Sequence, residues 1–407
     1  MKEHDSRLKK YKSDNRKDIA MILYKDGYVS RVELAKRLGL TKASISILVA
    51  EMIEQGLIAE TGNTVEKKGK NGPRERLLTL SGAYGSALGI NIERDYVSIG
   101  ICDLQNKTIK SAFRRTSEFS REAVPFLTEI ADMAATLLVD AQPPNLLGCA
   151  VTIIGTVDQQ TGVSVNSFGI VPKNTNLAKF FAEKLSVPVW VENNVRALAM
   201  ANYNYHSSAH EESCVFLKYG QGLGSAIIID SNLLMGSTNE AGEVGHTVVA
   251  GNEALCECGR TGCLETLVRE EAILRNISLE KHPVLNELCG GDRSNLEIEK
   301  VLRALEGGED ELLTYFADPI KYLAQTIANL YIVVNPNIII LYGMVFQSNK
   351  IRNLLFENLR EILKSDAILS VLTISQLESR KNYYGAADLV LRKYFEGGAL
   401  PQPATAN

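Results

Sequence analysis

The stretch Glu243-Val-Gly-His246 is followed, after nine further residues, by Cys256-Glu-Cys258-Gly-Arg-Thr-Gly-Cys263-Leu-Glu265. One histidine and three cysteines at this spacing supply the four ligands of a structural zinc site. Gly259 and Gly262 allow the chain to fold tightly around an ion. Because protein ligands complete the coordination, we do not expect the metal to activate water. The alternative is a cluster of reduced cysteines that binds no metal.

The remaining cysteines and the N-terminal segment indicate the compartment in which the protein works. Four of the seven cysteines are scattered along the chain, and three are clustered. In a reducing compartment such a cluster indicates a metal site rather than disulfide bonds. The segment up to Asp18 is highly charged and has no apolar core, so it does not resemble a secretory signal. We therefore predict a cytoplasmic protein.

The length and composition are those of an ordinary globular protein. The chain has 407 residues, of which 45% are hydrophobic and 23% are charged. At roughly 150 residues per domain, this length predicts two to three domains. No stretch reaches the roughly 18 apolar residues of a membrane-spanning helix, so we expect no insertion into a membrane.

The residues around the motif alternate between predicted strands and helices. Strands at 85–92, 97–104 and 108–114 form a predicted antiparallel meander. The later elements are a helix within 120–140, a strand at 146–153, a helix at 177–185, a strand at 187–191, a helix at 195–204, a hairpin of 214–218 and 225–229, a helix at 319–334, a strand at 337–341 and a helix at 385–394. Strands that alternate with helices are typical of the α/β class.

Charge is distributed unevenly along the chain. Residues 1–80 contain 17 Lys or Arg and 11 Asp or Glu, a net charge of +6. The remaining residues contain 27 and 37, a net charge of −10. A basic region attached to an acidic body indicates a region that binds a polyanion. A solvated surface of uneven charge is the alternative explanation.

Residues 16–80 have the pattern of a winged helix-turn-helix. A first helix is predicted to begin near Ser13 or Asn15. Ser30 and Thr41 are predicted to cap a second and a third helix. A short turn that contains one glycine joins these two helices, as in a helix-turn-helix. Two strands around a basic, glycine-rich tip then complete the predicted wing.

In a helix-turn-helix, the second helix of the motif places its N-terminal end in the major groove of DNA. The exposed residues predicted to contact DNA there are Lys42, Ala43, Ser44 and Ser46. The wing suits the phosphate backbone or the minor groove. Its predicted contact residues are Lys67, Lys68, Lys70 and Arg74. The alternative is a helical subdomain that contacts protein through a charged loop.

The pattern Glu-x-Gly-His followed by Cys-x-Cys-Gly-x-x-Gly-Cys-x-Glu resembles the signature of the ROK family of repressors, open reading frames and sugar kinases. The resemblance extends over residues 85–395, and the basic head makes the chain similar to the repressor branch. It implies an N-terminal winged helix-turn-helix and a two-lobed α/β body that is actin-like, of the hexokinase type (ribonuclease H-like). It also implies structural zinc and a homodimer or tetramer.

The resemblance further implies a division of the chain. Residues 1–80 would form the DNA-binding domain. Residues 81–194 together with 380–400 would form the first lobe. Residues 195–379 would form the second lobe, with the zinc motif and the oligomerisation surface. A sugar or sugar phosphate would bind in the cleft between the lobes.

Functional residues of the family can be carried over by their position in the motif. The zinc ligands would be His246, Cys256, Cys258 and Cys263. The sugar-binding residues would be Asn193, Asn194, Glu243, His246 and Glu265. Carboxylates and amides suit this role because they form paired hydrogen bonds with sugar hydroxyls. For Glu243 and Glu265, the alternative is support of the zinc loop.

Departures from the family pattern favour a regulator over a kinase. Family kinases place an aspartate at the position of Asn194 to deprotonate the sugar hydroxyl, and an amide cannot act as that base. The first phosphate-binding segment has lost its glycines and carries Glu93 and Asp95, whose charge should repel ATP. Tyr342 would narrow the site for the nucleotide base. We therefore predict no catalytic residues and a sugar-responsive repressor that binds operator DNA of carbohydrate-utilisation genes.

Two other functions are consistent with the sequence. The body could respond to a regulatory protein partner instead of a sugar. Alternatively, the protein could be a sugar kinase with a DNA-binding appendage. Phosphorylation of a hexose by ATP would identify the kinase, and a failure of every sugar to stabilise the protein would favour the partner-controlled regulator.

Overall fold

The computed structural model of the protein describes residues 2–65, 75–206, 213–378 and 380–397. The chain divides into two compact units, Met1–Ala209 with Arg380–Asn407, and His210–Ser379. Strands and helices alternate in both, as the α/β class requires. Over the described residues, no helix combines the length and the apolar character needed to cross a membrane.

The first unit begins with the basic head. Its elements are α1 (Lys2–Asp26), β1 (Val29–Ser30), α2 (Arg31–Leu38), α3 (Lys42–Glu54), β2 (Ile58–Val65) and β3 (Glu75–Leu80). The three strands form an antiparallel sheet in the order β1-β3-β2. The predicted start of the first helix near Ser13 or Asn15 is wrong. The preceding residues contain no glycine or proline, so the helix continues past these polar side chains to Lys2.

Local caps define the helix-turn-helix. The Ser30 hydroxyl accepts a hydrogen bond from the backbone N–H of Glu33 at 3.2 Å. The Thr41 hydroxyl accepts one from the N–H of Ser44 at 3.1 Å. Gly39 ends α2 with a left-handed φ of 63°, a conformation that favours glycine. The predicted N-termini of α2 and α3 are therefore confirmed.

A five-stranded sheet follows in the same unit. Its elements and their neighbours are β4 (Ser86–Ile92), β5 (Tyr96–Asp103), β6 (Thr108–Arg115), α4 (Ala123–Ala141), β7 (Leu146–Ile153), β8 (Thr156–Asp158), β9 (Val163–Asn166), β10 (Thr175–Asn176), α5 (Leu177–Leu185), β11 (Val189–Asn193) and α6 (Asn194–His206). The strand order is β11-β7-β4-β5-β6, and β8 to β10 form a small separate sheet. Strands β4, β7 and β11 are parallel and end together, because Ile153 lies opposite both Ile92 and Asn193. Side chains that follow these strands therefore meet at one edge.

The second unit is built on another five-stranded sheet. Its elements are β12 (Ser213–Tyr219), β13 (Leu223–Ile229), β14 (Asn232–Leu233), α7 (Glu265–Val268), α8 (Glu270–Arg275), α9 (Pro283–Leu288), α10 (Ile298–Glu306), α11 (Ala317–Val334), β15 (Ile338–Tyr342), α12 (Asn349–Leu363) and β16 (Leu372–Ile374). The strand order is β14-β13-β12-β15-β16. Apolar residues of α10, α11 and α12 pack with this sheet in one buried core.

The last helix, α13 (Tyr383–Glu396), belongs to the first unit and joins its two parts. Leu389 and Phe395 of α13 lie in the same buried apolar cluster as Ile19 and Leu23 of α1. The head therefore packs against α13 through α1. The predicted limits of three separate domains stay a prediction.

A buried polar contact accompanies this apolar core. The Tyr24 hydroxyl of α1 donates to the carboxylate of Asp388 in α13. Asp388 also accepts hydrogen bonds from Arg392 Nε at 2.8 Å and from Asn204 Nδ2 at 3.2 Å. Burial, and then the neighbouring Asp388, raise the pKa of Tyr24 well above its usual value. The phenol therefore stays protonated and fixes α1 to α13.

Candidate metal, ligand and DNA sites

The four predicted metal ligands lie together in the second unit. His246 is in a short 3₁₀ turn, and the three cysteines lie in the loop that precedes α7. One ligand atom from each residue lies within 4.8 Å of every other. Cys256 Sγ is 3.6 Å from His246 Nδ1, and Cys258 Sγ is 3.6 Å from Cys263 Sγ. The fold thus assembles residues that are separated by up to 17 positions in the sequence.

These distances fit a tetrahedral ion. Zinc–sulfur bonds of about 2.3 Å at the tetrahedral angle separate two sulfur atoms by about 3.8 Å. The second imidazole nitrogen of His246, Nε2, lies 4.0 Å from the carboxylate of Glu243. A histidine that binds metal usually directs its other nitrogen towards such a group. The cluster could therefore hold a metal ion through Nδ1 and three thiolates.

The thiols of the cluster differ in pKa. Burial raises the pKa of Cys256, and it raises the pKa of Cys263 to about 12. Burial also acts on Cys258, but hydrogen bonds from the Arg260 side chain and backbone outweigh it and lower the pKa of Cys258 to about 7. Because the thiolate is the form that binds metal, Cys258 is the most readily available sulfur ligand at neutral pH.

The loop that carries the cysteines depends on two glycines and one asparagine. Gly259 and Gly262 have φ values of 86° and 88°, which confirms that tight left-handed turns require glycine there. Asn252 Nδ2 donates to the Cys263 carbonyl at 3.0 Å and to Thr266 Oγ1 at 2.9 Å. The sequence motif did not identify Asn252, since it contributes no ligand atom and acts only by holding the loop.

The two carboxylates predicted to bind sugar have different surroundings. The side chain of Glu243 is 40% exposed and is therefore open to solvent. Glu265 begins α7, and its Oε2 accepts a hydrogen bond from the Leu223 N–H at 3.2 Å while its Oε1 lies 3.9 Å from Cys256 Sγ. Gly222, in the turn after β12, lies so close to Glu265 that the Cβ of any other residue at this position would be only 2.6 Å from Glu265 Oε2. Glu265 therefore supports both the metal loop and the glycine-rich turn after β12.

The first of the two asparagines predicted to bind sugar caps a helix. Asn193 Oδ1 accepts hydrogen bonds from the N–H groups of Val195 at 2.9 Å and Arg196 at 3.1 Å, at the start of α6. Its Nδ2 donates to the Gly155 carbonyl at 2.8 Å. A ligand at Asn193 would have to share these groups with the backbone.

The second asparagine is paired with a buried carboxylate. Asn194 Nδ2 lies 2.9 Å from each carboxylate oxygen of Glu93, at the edge where β4 and β11 end. Glu93 is 5% exposed and Asn194 is 2% exposed. The sequence predicted that the charge of Glu93 would face a phosphate group. In the structure this carboxylate is directed at an amide inside the first unit.

Glu93 also binds the segment that leads into α13. Asn382, immediately before this helix, donates through Nδ2 to Glu93 Oε1 at 3.0 Å and lies 2.6 Å from the Tyr96 hydroxyl. Asn91 Nδ2 lies 3.4 Å from the same Glu93 oxygen. One buried carboxylate thus links the ends of β4, α6 and α13. Sequence reasoning missed this cluster because its members are about 100 and 290 positions apart.

The predicted DNA-contacting residues of α3 lie on its surface. Lys42, Ala43, Ser44 and Ser46 are all exposed. The Ser46 hydroxyl donates to the Lys42 carbonyl at 2.8 Å, and Ser44 Oγ lies 2.9 Å from Thr41 Oγ1. Both serines therefore already have a partner at the N-terminal end of α3. The predicted wing residues Lys67, Lys68, Lys70 and Arg74 lie outside the described residues.

Tyr342, predicted to narrow a nucleotide-base site, is buried at the end of β15. Its ring packs against Phe216 with 5.9 Å between the centroids. Its hydroxyl donates to the Glu378 carbonyl at 3.3 Å. Tyr342 therefore belongs to the packing of the second unit.

These features define a protein in which a helix-turn-helix is joined to an α/β body with a cluster of three cysteines and one histidine. Family models match both parts. The model of the ROK family matches residues 87–393, and the model of the MarR family matches residues 13–67. The chain belongs to the ROK family, so the resemblance identified from the sequence is confirmed.

Similar curated proteins include named repressors. The chain is 25% identical over 372 residues to the xylose repressor of Caldicellulosiruptor bescii, a match that covers 89% of this chain and 92% of that protein. It is 25% identical over 336 residues to the DNA-binding transcriptional dual regulator NagC of Escherichia coli, covering 80% and 79% of the two chains.

Solved structures share the fold. A ROK family transcriptional regulator described as a homolog of the Escherichia coli MLC protein has a TM-score of 0.72 at 22% identity, over 96% of this chain and 98% of that one. A ROK family glucokinase from Streptomyces griseus, in complex with glucose and AMPPNP, has a TM-score of 0.64 at 22% identity. The match covers 75% of this chain and 99% of that one. The predicted winged helix-turn-helix and hexokinase-type body are confirmed. The fold alone does not separate regulators from kinases.

Proposed function

We propose that this protein is a sugar-responsive transcription regulator, a repressor that binds operator DNA through α2 and α3. One observation carries the proposal: the helix-turn-helix and the ROK body share a hydrophobic core, in which Ile19 and Leu23 of α1 pack with Leu389 and Phe395 of α13. A rearrangement of α13 would therefore move the DNA-binding helices. Coupling of this kind lets a ligand control DNA affinity through its different affinity for two arrangements.

A sugar or sugar phosphate is the proposed effector. Similarity to a xylose repressor supports a carbohydrate, and Glu243 offers an exposed carboxylate that suits sugar hydroxyls. Asn193, Asn194, His246 and Glu265 remain the other proposed contacts. The proposed DNA-binding form is a homodimer or tetramer, because two-fold operators place two half-sites one helical turn apart. A regulator of this kind works on chromosomal DNA, which supports a cytoplasmic location.

We assign no kinase activity to the protein. An amide cannot take the proton of a sugar hydroxyl, and the Asn194 amide donates to Glu93 instead. The buried Glu93 also stands in a segment that lacks the glycines of a phosphate-binding loop. The amide at position 194 and the missing glycines of this segment both support a protein without kinase activity.

The proposed cofactor is one structural zinc ion, held by His246, Cys256, Cys258 and Cys263. The distances between the ligand atoms support tetrahedral coordination. Bound zinc would cross-link the loop and contribute to folding. Glu243 would orient the imidazole, and Asn252 would hold the loop backbone.

The test of DNA binding uses the purified, zinc-loaded full-length protein. Fragments of the source genome are bound at moderate salt, recovered and sequenced. We expect a few fragments with a roughly palindromic site to be enriched. Lys42→Ala should reduce affinity for these fragments, because Lys42 is exposed at the N-terminus of α3. A protein that prefers no fragment would overturn the proposal.

The test of the effector is a thermal-shift screen against monosaccharides, amino sugars, their phosphates and ATP. A ligand at about 100 times its Kd stabilises the folded state by roughly 2.7 kcal/mol. A shift with one sugar or sugar phosphate that also changes DNA affinity would support the proposal. Stabilisation by ATP together with phosphorylation of a hexose would identify a kinase. No stabilisation by any sugar would indicate control by a protein partner.

A further inference from the structure

Helix α3 presents an apolar face to the outside of the head. Ala43, Ile47 and Ala50 follow the spacing i, i+4, i+7 and lie on one face of the helix. All three are exposed, and Ile47 is 59% exposed. The opposite face packs into the head through Ile45, Leu48, Val49 and Met52. The exposed surface of this helix therefore includes a row of methyl and methylene groups.

The same helix has few side chains that can form hydrogen bonds with the edges of bases. Residues 42–54 contain one lysine and no arginine, asparagine or glutamine. Arginine and lysine recognise guanine, and asparagine and glutamine recognise adenine, by paired hydrogen bonds. The hydroxyls of Ser44 and Ser46 already have partners in the head. Hydrogen bonds from α3 can therefore account for little discrimination between bases.

The occupant that fits this face is the major groove of DNA. The face belongs to the segment matched by the MarR family model, and residues 1–80 carry a net charge of +6. Lys42 stands at the N-terminal end of the same helix, where it can reach a phosphate. In the major groove, the apolar group on a base edge is the C5-methyl of thymine.

We infer that α3 recognises thymine methyl groups through Ile47, with Ala43 and Ala50 on either side. The inference rests on the proposed function, since it requires α3 to lie in the major groove. The short alanine side chains let the helix approach the base edges, and Ile47 is the larger exposed side chain between them. Each operator half-site therefore contains thymine opposite Ile47.

The experiment compares thymine with deoxyuridine, which pairs identically and lacks only the methyl group. The probe is the duplex most strongly enriched from genomic fragments, with single thymines replaced one position at a time. Affinity of the full-length protein is measured by fluorescence anisotropy at one fixed salt concentration. We expect about fourfold weaker binding at one or two positions of each half-site, equivalent to about 0.8 kcal/mol for each methyl group.

Two matched variants assign this effect to α3. Ile47→Ala should bind the thymine duplex more weakly and should no longer distinguish thymine from deoxyuridine at the sensitive position. Ile332→Ala makes the same change at a 66% exposed residue of α11 and should keep the fourfold preference. Both side chains are exposed, so we expect the thermal unfolding of both variants to match the wild type.

The outcomes separate this inference from the function on which it rests. If an enriched duplex loses no affinity at any deoxyuridine position, or if Ile47→Ala keeps the wild-type preference, the thymine inference is overturned and the DNA-binding function stands. If the wild-type protein enriches no fragment, both are overturned.

Discussion

The amide nitrogen of Asn194 lies 2.9 Å from both carboxylate oxygens of Glu93. Both side chains are buried, and Glu93 also accepts a hydrogen bond from Asn382 at 3.0 Å. An amide satisfies this carboxylate, whereas an aspartate at position 194 would place a second negative charge against it. The buried glutamate is thus a local reason for an amide at position 194.

We predict that Asn194→Asp creates a destabilised protein and no kinase. Two carboxylates at hydrogen-bond distance repel each other strongly when buried, so the folded variant must either bind a proton between them or lose the contact. The free energy of unfolding at pH 7 should fall by roughly 3 kcal/mol. The loss should shrink as pH falls, because protonation of one carboxyl group restores a hydrogen bond. Urea denaturation at pH 7 and pH 5 measures both effects.

The control for this prediction exchanges the carboxylate of position 93 and the amide of position 194. Glu93→Gln combined with Asn194→Asp again pairs one amide with one carboxylate. This double variant should recover most of the stability lost by Asn194→Asp. Transfer of phosphate from ATP to a hexose by the single variant would show that Asn194 is what blocks catalysis, and would contradict our view that the phosphate site is also lost.

We predict that Cys263→Ser abolishes zinc binding. Cys263 Sγ lies 3.6 Å from Cys258 Sγ, and a hydroxyl is a poor substitute for a thiolate in this set. The purified variant should contain no zinc, and its thermal unfolding should no longer respond to a chelator. Metal analysis and thermal denaturation with and without chelator make the measurement. The wild type should also release zinc on acidification, since the thiolates must then be protonated.

Cys289→Ser is the matched control for the metal site. Cys289 is also a buried cysteine of the second unit, but its Sγ contacts the Asn295 carbonyl at 3.8 Å. This variant should retain zinc at the wild-type ratio, even if it loses stability. Equal zinc contents in the two variants would contradict the proposed ligand set.

We predict that Tyr24→Phe changes how stability depends on pH. Burial and Asp388 raise the pKa of Tyr24, so above about pH 10 the unfolded chain loses this proton before the folded protein does. The wild type therefore loses stability as pH rises through this range, by up to about 1.4 kcal/mol per pH unit from this residue. Tyr24→Phe should be less stable by about 1 kcal/mol at pH 7 and should decline less steeply above pH 10.

Urea denaturation between pH 7 and pH 11 measures this difference. Tyr28→Phe removes a hydroxyl from a side chain of the same head that is 53% exposed, and it should keep the wild-type slope. Because Tyr24 joins α1 to α13, its loss should also weaken the effect of the sugar on DNA affinity. A Tyr24→Phe protein with the wild-type pH slope would contradict the buried contact with Asp388.

The features that could be predicted from the sequence are those that depend on residues close together in the chain. The caps at Ser30 and Thr41 and the glycines of the cysteine loop were recognisable because each acts on a backbone a few residues away. Strands β4 and β7 of the first sheet were recognisable from buried apolar runs. The cluster of one histidine and three cysteines could be predicted because the three cysteines lie within eight positions.

Other features could not be predicted because they depend on contacts between distant segments. The pairs Asn194–Glu93 and Tyr24–Asp388 span 101 and 364 positions. Neither has a local pattern, so both become visible only when the strands and α13 are in place. Helices α7 to α10 and α12 were also missed. Helices α7, α8 and α9 have only four to six residues, which is too little periodicity to identify a helix.

We predict that Thr41→Ala weakens DNA binding, although Thr41 lies just before α3 and is not one of the predicted DNA-contacting residues. The Thr41 hydroxyl caps α3 and contacts Ser44 Oγ at 2.9 Å, so its loss frays the end of the helix proposed to enter the groove. Stability should fall by about 1 kcal/mol, with a clear loss of affinity for the selected operator. Thr41→Ser keeps the capping oxygen and should restore both. Urea denaturation and anisotropy titration measure the two effects, and wild-type operator affinity in Thr41→Ala would contradict a role for the N-terminus of α3 in binding.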